Sequence, residues 1–330
     1  MSKISRAQRF FAGLLLGGLV LGLGWGVLLV GQLGRPSLES QWVEQAYAHK
    51  LRAAAAVSEN RLLIVAGSGA MFGLDSKLLA EGLGRPVINL GVNAGIQSAF
   101  IRLYARQAIR PGDWVLLPLE YPLFHDRFSV TYPFLDYWLS HPSLKALDIN
   151  SVQLVRIYWQ TPLQRVWRGL RGSPRDALPL GLYGPHNLDA NGDQLGTEAA
   201  RQEPWMHEGV IASTIHRYGH DANSLNGTWA QWRQFAQEVA EKGGCAVFIP
   251  PALMDRPSYH LDEEGRYYTT LPQRAEAQGL NYQGEPFDFM YPARDFFDTN
   301  YHLNAEARRR HTESVLRLIR PAFEGCNAVQ

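Results

Sequence analysis

Hydrophobic positions fall into distinct regimes along the chain. The first is one uncharged block, "FFAGLLLGGLVLGLGWGVLLVGQLG", from Phe10 to Gly34, preceded by Lys3, Arg6 and Arg9 and followed by Arg35. A helix of that length crosses about 30 Å of hydrocarbon. A cleaved signal would have a shorter apolar region and a small-x-small cleavage site, and neither is present. Residues 1–35 therefore read as a cytoplasmic tip and a retained transmembrane anchor, with the basic residues keeping the N-terminus inside. Residues 36–60, including "QWVEQAYAHKLRAAAA", read as a helical stalk.

A second regime alternates short apolar runs with amphipathic stretches. "RLLIVAG" (61–67), "PVINLGV" (86–92) and "WVLLPLEY" (114–121) read as buried strands. "GLDSKLLAEGLG" (73–84), which Gly84 can stop, and "GIQSAFIRLYARQAI" (95–109) read as the intervening helices. The alternation breaks from about 122 to 227, where Trp, Tyr, Pro and Arg are frequent. That segment holds a helical stretch near 148–170 and a turn or hairpin in "LYGPHNLDANGDQLGT". The pattern then resumes with a helix at 228–244, the strand "CAVFIPP", a helix near 271–279 and a final helix that Asn304 can cap. Such repetition predicts an α/β domain with a parallel sheet over 61–330, carrying an insertion at about 122–227.

Composition narrows the function classes. The chain has 330 residues, 46% hydrophobic and 19% charged, which describes a folded protein, and its net charge of +1 gives no case for nucleic acid. Asp189, Asn191 and Asp193 begin like a calcium loop, but Gln194 and Ala200 stand where Gly and Glu are needed, so the stretch reads as a solvated turn. No metal or cofactor is expected. Of the two cysteines, Cys245 opens an apolar run and Cys326 lies in the C-terminal tail. The sequence does not bring them together, and a disulfide is not the expectation.

Candidate chemistry begins at "VAGSGAMFG", Val65 to Gly73. As a dinucleotide loop it fails: the third glycine is one residue late, and Asn89 replaces the acidic residue at the end of the next strand. As a helix cap it is plausible. As a nucleophile on a strand-to-helix turn, Ser68 would lie beside helix N–H groups able to stabilise an oxyanion. A serine needs a base, and "DTNYH" supplies His302 with Asp298 to orient it; Asp295 is the alternative acid. The pair and the serine together, in the order Ser…Asp…His, favour the nucleophile.

That order, with the serine after the first strand and acid and base close together near the end, resembles the SGNH (GDSL-like) hydrolase superfamily. The likeness rests on "VAGSGAMFG", "NLGVNAG" and "DTNYHLN" and covers about 61–121 and 228–320. It implies a flavodoxin-like three-layer α/β/α domain, with Ser68, Asp298 and His302 as catalytic residues. It further implies an oxyanion hole from the N–H groups of Ser68 and Gly95, with Gly91 as alternative and the Asn93 side chain as helper. Two positions depart from the family pattern: Leu119-Glu120-Tyr121 stands where an asparagine is common, and three residues rather than two separate Asp298 from His302. Glu120 and Tyr121 become candidate substrate contacts.

The membrane-anchored branch of that superfamily includes proteins that edit or acylate cell-envelope polymers. The resemblance therefore implies a single-pass protein of a bacterial inner membrane, with its catalytic domain periplasmic or extracellular. The expected substrate is an acyl ester, of a glycan by preference because Tyr132, Tyr137, Trp138, Trp159 and Trp167 could stack on sugars. A membrane acyltransferase or polysaccharide synthase is the corresponding partner. Hydrolysis and transfer remain open, and the rival class is a non-catalytic binding or assembly subunit of the same fold.

Overall fold

The computed structural model describes residues 5–124, 130–141, 149–174, 181–221 and 227–327. Along the chain run α1 (Arg6–Val30), α2 (Leu38–Ala56), β1 (Leu62–Ile64), α3 (Ser68–Gly73), α4 (Ser76–Leu83), β2 (Val87–Asn89), α5 (Gln97–Ala108) and β3 (Trp114–Leu117). Next come α6 (Tyr132–Ser140), α7 (Ser151–Gln160), α8 (Leu163–Arg171), α9 (Pro204–Ala212), α10 (Tyr218–Asp221) and α11 (Gly227–Glu241). The chain closes with β4 (Cys245–Phe248), β5 (Leu253–Met254), α12 (Asp262–Ala277), β6 (Met290–Tyr291) and α13 (Ala305–Asn327). These elements form two compact units, Met1–Gln41 with Val130–Ala177, and Trp42–Ser129 with Leu178–Gln330.

The second unit holds a parallel sheet of order β2-β1-β3-β4, in register at Leu63↔Ile88, Leu63↔Val115 and Val115↔Ala246. β1, β2 and β3 are buried at every residue, which is why they read as unbroken apolar runs. The chain reverses its direction of travel across the sheet between β1 and β3. In open parallel sheets such a switch point leaves a crevice beyond the carboxyl ends of the strands, and Ser68 and Glu120 lie just past those ends. The helix expected at 73–84 is divided. α3 opens at Ser68 itself, Leu74 is extended, and Asp75 caps α4 through Leu78 N–H before Gly84 ends it at φ +60°.

Three expectations need correction. Residues 36–60 are not a free stalk. In α2, Val43, Ala46, Tyr47, Lys50 and Ala54 recur at helical spacing and are buried. Tyr47 stacks on Tyr104 at 3.7 Å, and Lys50 Nζ donates to the carbonyls of Gly91 (2.5 Å) and Gly192 (2.6 Å). Residues 122–227 are also not one insertion: 130–177 groups with α1, whereas 178 onward belongs to the sheet unit. There Asp193 accepts from the Ser76 N–H and hydroxyl and from the Asn89 amide. The expected hairpin is present as the antiparallel bridge Leu188↔Gln194. Finally, Cys245 and Cys326 are disulfide-bonded, with Cα atoms 6.2 Å apart. The start of β4 and the end of α13 lie side by side, and Trp114 stacks on Phe323 at 4.6 Å.

The first unit combines α1 with α6, α7 and α8. Its buried ion pair, Asp136 with Arg165, is surrounded by Ser37, Ser40 and Ser140 and by Gln32. The helical stretch near 148–170 is two helices, broken at Thr161-Pro162. Tyr137 and Trp138 are buried, which removes them as sugar-stacking candidates.

Candidate active site

Ser68 opens α3, immediately after the carboxyl end of β1, and is half-exposed. Its N–H has no acceptor among the described residues, as expected for the first turn of a helix. The turn is held from below by Glu120. The Gly67 N–H donates to one carboxylate oxygen at 2.9 Å and the Gly69 N–H to the other at 2.7 Å. Burial pushes the Glu120 carboxyl above its ordinary value, against the opposing pull of these N–H donors and of the nearby His302. Glu120 is therefore a buried buttress, and the substrate contact expected of it is corrected. Tyr121 is corrected too: its ring is fully buried among Tyr218, Tyr267 and Tyr268.

Asn93, Gly95 and Gly91 lie against this turn. A Cβ on Gly67 would sit 2.5 Å from the Ala94 nitrogen, and one on Gly91 would sit 2.5 Å from the Gly67 carbonyl oxygen. However, the Gly95 N–H donates to Asn93 Oδ1 at 2.7 Å, and the Gly91 N–H donates to Asn89 Oδ1 at 3.0 Å. Both amides expected to serve an oxyanion are thus already engaged by side chains. Of the expected donors, the Ser68 N–H is the one without an acceptor among the described residues.

His302 sits in the turn leading to α13. Phe297 N–H donates to the His302 carbonyl, Phe296 and Leu303 form an antiparallel bridge, and Asn304 caps the helix through Ala307 N–H. His302 Nδ1 lies 2.7 Å from Asp298 Oδ1, with both side chains nearly buried. Burial pushes the Asp298 carboxyl up, but His302 and the Tyr183 hydroxyl outweigh it and hold the group below its ordinary value. An ionised Asp298 fixes the Nδ1 proton in the shared bond, which leaves Nε2 as the basic nitrogen. The imidazole stacks on Phe72 at 3.9 Å, one helical turn beyond Ser68 on α3. The alternative acid is excluded from this role, because Asp295 pairs with Arg310 at 2.9 Å.

Tyr183 was not anticipated. Its hydroxyl donates to Asp298 Oδ2 and lies 3.4 Å from His302 Nδ1, while its ring packs beside Trp42 and Phe72. No local pattern marks it, since it reaches the pair from a segment more than a hundred residues away in sequence. The Ser68 hydroxyl itself makes no hydrogen bond among the described residues, so the serine and the imidazole are not in hydrogen-bond contact. No family model, curated protein or solved structure matches the chain.

Proposed function

We propose that the chain is a membrane-tethered serine esterase or O-acyltransferase of SGNH type, acting outside the cytoplasm on acyl esters of an envelope glycan. The observation that carries this reading is the hydrogen-bonded Asp298–His302 pair stacked on Phe72, in the helix that Ser68 opens. In the first step, His302 Nε2 takes the Ser68 proton as the serine oxygen attacks the ester carbonyl carbon. The resulting oxyanion is stabilised by the Ser68 N–H and the Asn93 amide. Protonated His302 then gives its proton to the departing alcohol oxygen, leaving an acyl-serine. An incoming hydroxyl, deprotonated by His302, attacks that ester, and the protonated imidazole returns the proton to the departing Ser68 oxygen, restoring both groups. Water as acceptor gives hydrolysis; a sugar hydroxyl gives transfer, with a membrane acyltransferase or polysaccharide synthase as the partner class.

Export is supported by two features: α1, long and apolar enough to span a membrane, and the Cys245–Cys326 disulfide, a bond typical of oxidising compartments. A phosphatase fused after residue 330 is expected to be active; a stable but inactive fusion overturns this orientation.

The open Ser68–His302 contact favours the second reading, a non-catalytic binding or assembly subunit. A fluorophosphonate probe decides between them. Labelling of wild type but not of Ser68→Ala, with p-nitrophenyl acetate hydrolysis lost in both Ser68→Ala and His302→Ala, is the expected result. Folded wild type that takes no label supports the assembly subunit.

A further inference from the structure

We propose that the α7–α8 hairpin is a second membrane element, dipping into the acyl region of the leaflet in which the C-terminal end of α1 sits. The proposal rests on α1 spanning the bilayer. α7 is fastened to the apolar part of α1: the Tyr158 hydroxyl donates to the Gly22 carbonyl, and Trp25 Nε1 donates to the Tyr158 carbonyl at 2.9 Å. Gly22 and Gly26 leave room for the Tyr158 ring, since a Cβ on either would lie 3.4 or 3.7 Å from it. Gly22 is eight residues before Val30, so at 1.5 Å per residue Tyr158 lies about 12 Å below the end of the span. The chain then turns at Thr161-Pro162 and climbs. By Arg165 and Gly169 it is level with Gln32, beyond the end of α1.

The faces turned away from this packing are rich in exposed apolar side chains, with Arg156 and Gln160 exposed beside the stripe on α7. In α7, Ile157 is buried and Tyr158 meets α1, while Val152, Val155 and Trp159 form a stripe on the opposite side, with Trp159 76% exposed. In α8, Arg165, Val166 and Gly169 are buried, and Leu163, Trp167 and Leu170 form the outward stripe, with Leu163 74% exposed. A helix that is apolar on the side opposite its packed face suits lipid better than water. The large exposed apolar side chains gather at the turn, next to the exposed Gln160 and Gln164, and the last two arginines of α8 lie toward its far end. Leu163 and Trp159 flank the turn, whereas Trp167, with Arg171 stacked over it at 5.0 Å, and Arg168 lie at the climbing end. Tryptophan and arginine in that position match the headgroup region and its phosphates.

The test places the full-length protein in phosphatidylcholine–phosphatidylglycerol nanodiscs whose acyl chains carry bromine at mid-depth, and compares tryptophan quenching across conservative variants. Trp159→Phe is expected to remove a quenchable, blue-shifted component, and Trp25→Phe to remove another from the span itself. If Trp25→Phe reduces quenching and Trp159→Phe does not, the hairpin faces water or another protein and the proposal is overturned while the span stands. If neither changes quenching, the span fails as well. Far- and near-UV circular dichroism matching wild type in each variant confirms that the fold is retained.

Discussion

Gly67 and Gly69 flank Ser68 because Glu120 leaves no room for larger side chains. A Cβ on Gly67 would meet Ala94 and the Glu120 carboxylate at 2.5 Å, and one on Gly69 would meet that carboxylate at 3.0 Å. Gly67→Ala should lower unfolding free energy in urea by about 1–3 kcal/mol, the usual cost of overpacking. Glu120→Ala should do so by about 1–3 kcal/mol for each of the two buried N–H groups it strands. Tyr183→Phe removes a hydrogen bond to the Asp298 carboxylate and should let that group rise toward its ordinary value. Ester hydrolysis should fall about tenfold, the equivalent of roughly 1.4 kcal/mol, with Ser68 still taking the probe; an unchanged rate would remove Tyr183 from the site. The Asp298–His302 pair was legible in the sequence because four residues along one turn bring the two side chains together, whereas no hydrogen bond in the structure joins Ser68 to it. The role of Glu120 was not, because a carboxylate after a strand says nothing about which N–H groups it will meet. The engagement of Gly95 by Asn93 had a local signal, an asparagine two residues before the amide it accepts from.

At the scale of elements, strand positions were legible because buried parallel strands are continuous apolar runs. The fate of α2 was not, since its buried stripe contains Lys50 and small alanines that also suit a solvated helix. A chain beginning at residue 61 should therefore lack the packing around Tyr47 and lose its cooperative unfolding transition, whereas removing α1 alone should leave that transition in place. α13 carries a pH-sensitive group: burial pushes His311 down to about 3, and its Nδ1 lies 2.9 Å from the Tyr291 hydroxyl. Its native form is neutral where the unfolded chain takes up a proton, so stability rises with pH between about 3 and 6.5 and is lost as pH falls through that window. The loss is at most about 1.4 kcal/mol per pH unit. Urea midpoints between pH 6 and 5 should fall in wild type and flatten in His311→Gln. Asp298, held below its ordinary value, adds its own loss only at lower pH.

For the whole molecule, the division of residues 122–227 between two units was hidden because composition changes at 122 and 228 but not near 177. The disulfide was hidden because 81 positions separate its cysteines in sequence. A bond closing a loop of that size contributes about 2–4 kcal/mol, so reduction with dithiothreitol should lower the urea midpoint accordingly. The covalent loop runs from β4 to the end of α13 and encloses both Asp298 and His302. Thiol chemistry at Cys245 and Cys326 thus bears on how firmly the turn that carries Asp298 and His302 is clasped to the sheet. The Asp298–His302 turn should accordingly be most heat-tolerant in an oxidising milieu, and under the proposed esterase reading a reductant should act as a remote brake.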